Sequence, residues 1–359
     1  MNTEAGLKLL RVQNLRCIDS IELVVDPRQN IIVGQNGAGK TSVLESIYFL
    51  GRGKSFRPGQ TSTLIQSEHD KFTIYGEVID GSSCYRLGVS HGRDGLQVHR
   101  DGQNNASVAD LAAGLPVQII DPEAHQLIQG GPKGRRAFID WGVFHVKHEF
   151  LTAWRRYRRA LKQRNAALKQ GQSKQTVSAW DSELIEFGLE IDAARRQHVN
   201  DYLPLLSSIC RDLLQNESNC IYLPGWPEGQ TFQDALASSW EKDCAYGSTQ
   251  MGPHRAELRI EADGQAARNR LSRGQQKLLS IALVLAQSIF VSRSIKRKVT
   301  LLVDEPAAEL DTQHLRRLLE ILSCKELQLF ISTLDLESLP MARKGCVFHV
   351  ERGAVSTLV

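Results

Sequence analysis

The stretch Gly34-Gln35-Asn36-Gly37-Ala38-Gly39-Lys40-Thr41 matches G-x-x-x-x-G-K-[ST] at every defined position, and it follows three apolar residues, Ile31, Ile32 and Val33. Few folds accommodate a strand that ends in such a loop and continues as a helix. The glycines let the backbone close around an anion, and the helix N-terminus attracts the same anion. Lys40 is placed to reach β- and γ-phosphates and the Thr41 hydroxyl to ligate Mg²⁺. Behind them Val43, Leu44, Ile47 and Leu50 fall at helical spacing. An α/β P-loop fold follows. It is expected to bind ATP with Mg²⁺ through Gly34, Gln35, Asn36, Gly37, Ala38, Gly39, Lys40, Thr41 and Ser42.

A P-loop site needs an acidic residue at the end of a buried strand, and Val299-Thr-Leu-Leu-Val303 followed by Asp304-Glu305 supplies one. Asp304 is expected to hold Mg²⁺. Glu305 is expected to orient or deprotonate the attacking water, acting with Lys40 as the catalytic pair. Between loop and strand, Leu271-Ser272-Arg273-Gly274-Gln275-Gln276-Lys277 precedes an apolar helical run. This stretch resembles the signature motif of ABC-type ATPases, in which the serine and glycine grip a γ-phosphate bound to the opposite subunit. Ser272 taken alone also fits an ordinary helix cap. Ala308-Glu309-Leu310-Asp311 resembles the D-loop of the same ATPases. The next helix carries Leu315, Leu318, Leu319 and Leu322 on one face, the pattern of a core helix.

Along the 359 residues, strands are predicted over Leu7–Val12, Ile21–Val25 and Asn30–Val33, with a helix over Lys40–Leu50. Short alternating runs between Lys71 and Arg100, parted by Asp80-Gly81 and Asp94-Gly95, predict antiparallel hairpins. From Lys133 to Gln215 the chain reads as two or three long helices, with Gly171 as a break. A connection over Leu223–Gly229 ends that region. Strands over Glu257–Ala262, Val299–Val303 and Leu327–Ser332 then alternate with helices over Gln275–Ser292 and Thr312–Ser323, which implies a mostly parallel sheet. The expected fold class is α/β, an ABC-type P-loop ATPase head with a mixed sheet, an antiparallel β subdomain and a helical insertion. Residues 1–130 and 229–359 would form the head and 131–228 the helical subdomain.

A net charge of +4 permits a nucleic-acid partner without arguing for one. The seven cysteines at 17, 84, 210, 220, 244, 324 and 346 show no Cys-x-x-Cys spacing, so free thiols are expected rather than disulfides or zinc. The N-terminus lacks the order of a secretion signal, and no apolar run approaches the ~20 residues of a membrane span. A soluble, cytoplasmic protein is expected.

Four stretches closely resemble the RecF family, and the resemblance covers essentially the whole chain. They are Gly34–Thr41, Pro122-Glu123 through Gly130-Gly131-Pro132 to Arg135-Arg136 and Asp140, Gly252-Pro253-His254-Arg255 to Leu258, and Leu301–Asp311. The second is absent from generic ABC ATPases. The resemblance implies a weak, DNA-stimulated ATPase acting as a switch. It implies an ATP-dependent homodimer that binds DNA, duplex beside single-stranded gaps, and works with RecR and RecO to help load RecA in recombinational repair, replication restart and the SOS response. The chain departs from related patterns in three places. Arg273 stands where transporter ATPases have a second glycine, although Ser-Arg-Gly is usual for RecF-like chains. Thr333 stands near the place of their switch histidine, which suits slow turnover. Ala124 stands where family members carry an aspartate.

Direct residue support for DNA contact is a basic run, Trp154-Arg155-Arg156-Tyr157-Arg158-Arg159 with Lys162 and Arg164. The same run also fits a solvated helix face with Trp154, Tyr157 and Leu161 turned inward. Arg135 and Arg136 suit structural or interface roles equally, and His254 suits a satisfied turn residue or a site residue. Two other ABC-type machines have different requirements. A transporter ATPase calls for Ser-Gly-Gly and a switch histidine. A cohesin-like ATPase calls for long heptad arms, and the interval between Lys40 and Ser272 is too short for them.

Overall fold

The computed structural model describes residues 5–103, 106–215, 217–323, 326–339 and 345–358. Cys324 lies outside them. The chain divides into two compact units, residues 1–124 with 281–359, and residues 125–280. In chain order the first strands are β1 (Gly6–Leu15), β2 (Ile18–Val24), β3 (Gln29–Val33), β4 (Phe72–Asp80), β5 (Ser83–Gly92), β6 (Gly95–Arg100) and β7 (Val117–Ile120). Then come β8 (Ser218–Leu223), β9 (Glu257–Ala262), β10 (Gln265–Ala266), β11 (Val299–Val303), β12 (Leu327–Thr333), β13 (Cys346–Glu351) and β14 (Ala354–Thr357).

The first unit holds two sheets. One has the order β14-β13-β3-β12-β11-β7, with every pair parallel except the antiparallel edge strand β14. Strands β11 and β12 are buried along their whole length, as expected of central parallel strands that read as near-continuous apolar runs. The other sheet, β2-β1-β4-β5-β6, is antiparallel. Its β4 alternates buried and half-buried residues, the period-2 pattern of a sheet with one face in the core. The hairpins close at Asp80↔Ser83 and Gly92↔Gly95, with Gly81 at φ 64° and Gly95 at φ 83°. Gln328 of β12 is fully buried and fully used: its amide nitrogen donates to the carbonyls of Leu7 (2.7 Å) and Asp26 (2.9 Å), and its oxygen accepts from the Leu7 N–H at 2.8 Å. This polar side chain fastens β1 of one sheet to β12 of the other inside an apolar core.

In the second unit, the helix Phe150–Lys169 and the helix Asp181–Leu214 run in opposite directions: Arg164 meets Asp181, while Arg195 lies over Trp154. The longer helix has 34 residues and spans about 51 Å. Gly171 marks the break between them, with φ 62°. The expected boundary at 228 falls inside this unit. Strand β8 pairs with β9 from Ser218↔Ala262 to Leu223↔Glu257, and this ladder ties the chain on both sides of that point into one body. The helices Phe232–Ser238 and Trp240–Tyr246, unforeseen in the sequence, fill the interval.

The helix Arg273–Ile295 requires a second correction. By length and composition it is apolar enough to cross a membrane, but most of it is buried inside the protein, and Ser280, Gln287, Ser288 and Ser292 within it are fully buried. Such polar interruptions hide its apolar length from a search for unbroken runs.

Two arginines form buried ionic centres in the second unit. Arg164, 1% exposed, donates to Asp181 (2.7 Å), Asp243 (2.7 Å) and Thr249 (2.8 Å). Arg195, 0% exposed, grips both oxygens of Asp140 at 2.7 and 2.9 Å and donates to the Pro253 carbonyl. Arg164 is therefore withdrawn from the basic run and unavailable to a ligand. Its replacement by leucine strands the fully buried Asp243 carboxylate, and losing one partner of a buried pair costs about 3–5 kcal/mol. We expect Arg164→Leu to lower the urea midpoint accordingly. The joint change Arg164→Leu, Asp243→Leu should recover part of the loss, and no recovery would assign the cost to packing instead.

Candidate functional site

The glycine loop leaves β3 at Val33 and enters the helix Lys40–Arg52. Gly34 is required by close approach, because a side-chain carbon there would collide with the Val350 carbonyl oxygen. Gly39 caps the helix at φ 117°, a conformation that favours glycine. No acidic residue occupies the first turn of that helix, so its positive end is unopposed. The Lys40 side chain, 3% exposed, folds back over the loop: Nζ donates to the carbonyls of Gly34 (2.8 Å) and Gln35 (3.1 Å), and it pairs with Glu305 at 2.9 Å. Ser42 is buried, its hydroxyl 3.6 Å from the Cys17 sulfur.

Asp304 ends β11 beside this loop. Its Oδ1 accepts from the Thr41 hydroxyl at 3.3 Å and from the Ser332 hydroxyl at 2.6 Å. Ser332 also accepts the Glu305 N–H at 2.9 Å, so one hydroxyl holds both acidic residues. Glu305 sits in the left-handed region, φ 48° and ψ 53°, before Pro306 opens the helix Pro306–Glu309. Such a conformation costs a non-glycine residue on the order of 1–3 kcal/mol, and it aims the Glu305 carboxylate back at Lys40. The loop, Asp304 and Glu305 are thus brought together as the sequence predicts.

Ser332 was not legible as a site residue. Thr333, its neighbour, is the residue expected near the place of a switch histidine, and its hydroxyl donates to the Asp335 carbonyl within its own turn. The signal for Ser332 was a hydroxyl at the end of the buried run LQLFIS. Asp121 was also missed, because the four-residue β7 was not recognised. Parallel pairing of β7 with β11 and a bond from the Asp304 N–H to the Ile120 carbonyl at 2.9 Å place Asp121 beside the acidic pair. Burial, and then the charges of Asp304 and Glu123, push the Asp121 carboxyl up to about 6. Burial also raises the Asp304 carboxyl, against the hydroxyl bonds from Ser332 and Thr41.

Ser272 and Gly274 belong to the second unit. Ser272 forms a reciprocal capping box: its hydroxyl accepts from the Gln275 N–H at 3.3 Å, and its own N–H donates to the Gln275 side chain at 3.0 Å. A side-chain carbon at Gly274 would meet nothing within 4 Å, so packing within this chain does not explain the glycine. Asp311 caps the helix Thr312–Leu322 by accepting from the N–H groups of Gln313 and His314, and the leucines at 315, 318, 319 and 322 are buried. In the second unit Arg135 is structural, paired bidentately with Glu257 and donating to Gly130. Arg136 donates to the Ala256 carbonyl. His254 uses both ring nitrogens, on Tyr157 at 2.6 Å and on the Thr249 carbonyl at 2.9 Å. Burial holds it down at about 4, hence neutral.

The Asp121 carboxyl gives a pH test. The native state keeps its proton to about pH 6, whereas an unfolded aspartate releases it near pH 4. Stability therefore falls as pH rises through this interval and stays reduced above it. Without nucleotide and Mg²⁺, Asp121→Asn should raise Tm by roughly 2–4 °C at pH 8 and by little at pH 4.5. An equal gain at both pH values would mean that charge is not the cause.

Comparison with known proteins places the chain in a family. A family model described as RecF/RecN/SMC N terminal domain matches residues 6–356. The chain is 41% identical over 363 residues to the DNA replication and repair protein RecF of Pseudomonas putida strain GB-1, covering 98% of both chains. It is 41% identical over 362 residues to the RecF of Azotobacter vinelandii, again covering 98% of both. Among solved structures, the recombination mediator protein RecF-ATP of the RecFOR pathway superposes with a TM-score of 0.89 at 24% identity, over 99% of this chain and 98% of that one. An SMC head bound to the C-terminal winged-helix domain of ScpA gives 0.62 at 16% identity, over 98% of this chain and 97% of that one. The ABC-type head fold is shared by both, while 41% identity along the whole chain favours RecF over the transporter and cohesin-like alternatives. The chain belongs to the RecF family of DNA replication and repair proteins.

Proposed function

We propose that this chain is an ATP-dependent DNA-binding switch of recombinational repair, in which ATP closes two copies on DNA and slow hydrolysis reopens them. The observation that carries the reading is the clustering of Lys40, Thr41, Asp304 and Glu305 at one sheet edge. Lys40 has Glu305 as its anionic partner, and the phosphates of ATP take that place beside the ammonium. Glu305 is then released to accept a proton from an attacking water, with Lys40 stabilising charge on the phosphoryl oxygens. Asp304 and the Thr41 hydroxyl are adjacent hard oxygen donors that suit Mg²⁺, which supplies charge neutralisation at the phosphates. Gly34, Gln35, Asn36, Gly37, Ala38 and Gly39 provide the backbone cradle and Ser42 closes its helical end.

Ser272 and Gly274 serve the γ-phosphate of a second copy. Their helix is 23 residues long with no acidic residue in its first turn, and both residues are exposed. Gly274 leaves room for the close approach that this needs. Slow turnover fits a glutamate held by Lys40 and a threonine, not histidine, at position 333. The relatives' names support roles in replication and repair. By the same kinship, single-strand gaps with adjoining duplex are the DNA target, RecR, RecO and RecA the partners, and the cytoplasm the location.

Lys40→Arg should abolish ATP-stimulated binding to gapped DNA, measured by anisotropy with and without ATP. Retained ATP-dependent binding would sink the switch. Ser272→Arg should leave nucleotide binding by the monomer within about twofold and prevent ATP-driven dimerisation in sedimentation velocity. A normal dimer would remove Ser272 from the trans site.

A further inference from the structure

In the second unit a groove of about 1100 Å³ opens along the helix Phe150–Lys169 and the start of the helix Pro132–Val146. Its wall carries five exposed cations, Lys133, Arg158, Arg159, Lys162 and Lys169. Among the described residues, the side chain of none of the five has an ion pair or hydrogen bond. Asp140, the one carboxylate in the lining among the described residues, is held on both oxygens by the buried Arg195. The groove therefore concentrates positive charge that the protein does not neutralise, and such a field attracts a polyanion. The helix Pro132–Val146 adds to it, since its first turn contains Lys133, no acidic residue and no side-chain cap.

We infer that this groove is a track for the sugar–phosphate backbone of duplex DNA, an assignment that rests on the DNA-binding reading above. Arg158, Lys162 and Lys169 share one helix face over about 16 Å. Over that length one strand of a duplex presents about five phosphates. The aromatic residues argue against single strands, whose proteins bind by stacking bases on open rings. Trp154 is stacked between neighbours, 6.3 Å and 9° from Phe150 and 6.0 Å and 20° from Tyr157, with the Arg195 guanidinium 5.2 Å from its ring. Tyr157 is fully buried, and its hydroxyl is taken by His254. An acidic protein partner would seek an apolar anchor site, and the aliphatic lining is limited to Ala137, Leu161 and Ala166. What remains is a surface that contacts phosphates and no bases, which suits binding without sequence preference.

The test uses the full chain with ATP, and follows anisotropy of a labelled duplex and a labelled single strand across a salt series. The double variant Lys162→Glu, Lys169→Glu should weaken duplex binding at least about tenfold and lower the salt slope by about two, one for each lost phosphate contact. The milder Lys162→Ala, Lys169→Ala pair should move both quantities the same way. Binding of a fluorescent ATP analogue and ATP-driven dimerisation should be unchanged in both. Arg211→Glu, at an exposed position outside the groove, should bind duplex as the unaltered protein does. Wild-type affinity and slope in the double variants overturn the assignment, as does a loss confined to the single strand. If the unaltered protein shows no ATP-dependent duplex binding, the DNA-binding reading itself fails and the groove assignment with it.

Discussion

Parallel pairing of β3, β12, β11 and β7 is the constraint on which the site depends. The registers Val33↔Thr333, Ile331↔Val303 and Val303↔Ile120 bring four strand ends to one edge of the sheet. In open α/β sheets that edge is where ligands bind, because the loops leaving it can converge while the strands stay rigid. Here the four strands deliver the glycine loop, Ser332, the Asp304-Glu305 pair and Asp121. These come from segments nearly the whole chain apart. Only the sheet makes them neighbours.

Around that edge each charged group is held by something specific. Lys40 is folded over two loop carbonyls and Glu305, while Asp304 is fixed by two hydroxyls. Ser332 serves two functional groups with a single oxygen, donating to a carboxylate while accepting a backbone N–H. Glu305 reaches Lys40 only through a backbone conformation that a non-glycine residue adopts at a cost. Strain of that kind persists where its surroundings impose it, and here the Ser332 bond to the Glu305 N–H and the ion pair with Lys40 hold it. A glutamate in a relaxed turn would point elsewhere.

The second unit treats its arginines in two opposite ways. Arg164 and Arg195 are buried, multiply bonded and structural; Arg158 and Arg159, on the same helix as Arg164, stand exposed and have no side-chain partner among the described residues. A run of basic residues in a sequence does not separate these cases. Helical rotation does, because each residue turns about 100° from the last and successive arginines face core, rim and solvent in turn. By the same geometry Tyr157 turns wholly into the core, while the half-buried Trp154 packs between Phe150 and Tyr157.

The P-loop, the acidic strand end, the helix capped by Ser272 and the family can all be read from the chain alone, because each depends on residues adjacent along it. The hairpins at Asp80-Gly81 and Asp94-Gly95 and the leucine face of Thr312–Leu322 were legible for the same reason: turn chemistry and helical spacing are local. Strand β7, too short to show a period, and Asp121 beyond it were not. Ser332 became visible only when β12 lay between β3 and β11, and the unit boundary moved past 228 because β8 found its partner in β9. Those features arise from pairing between distant segments, and which segments pair is a property of the folded core rather than of any stretch of chain.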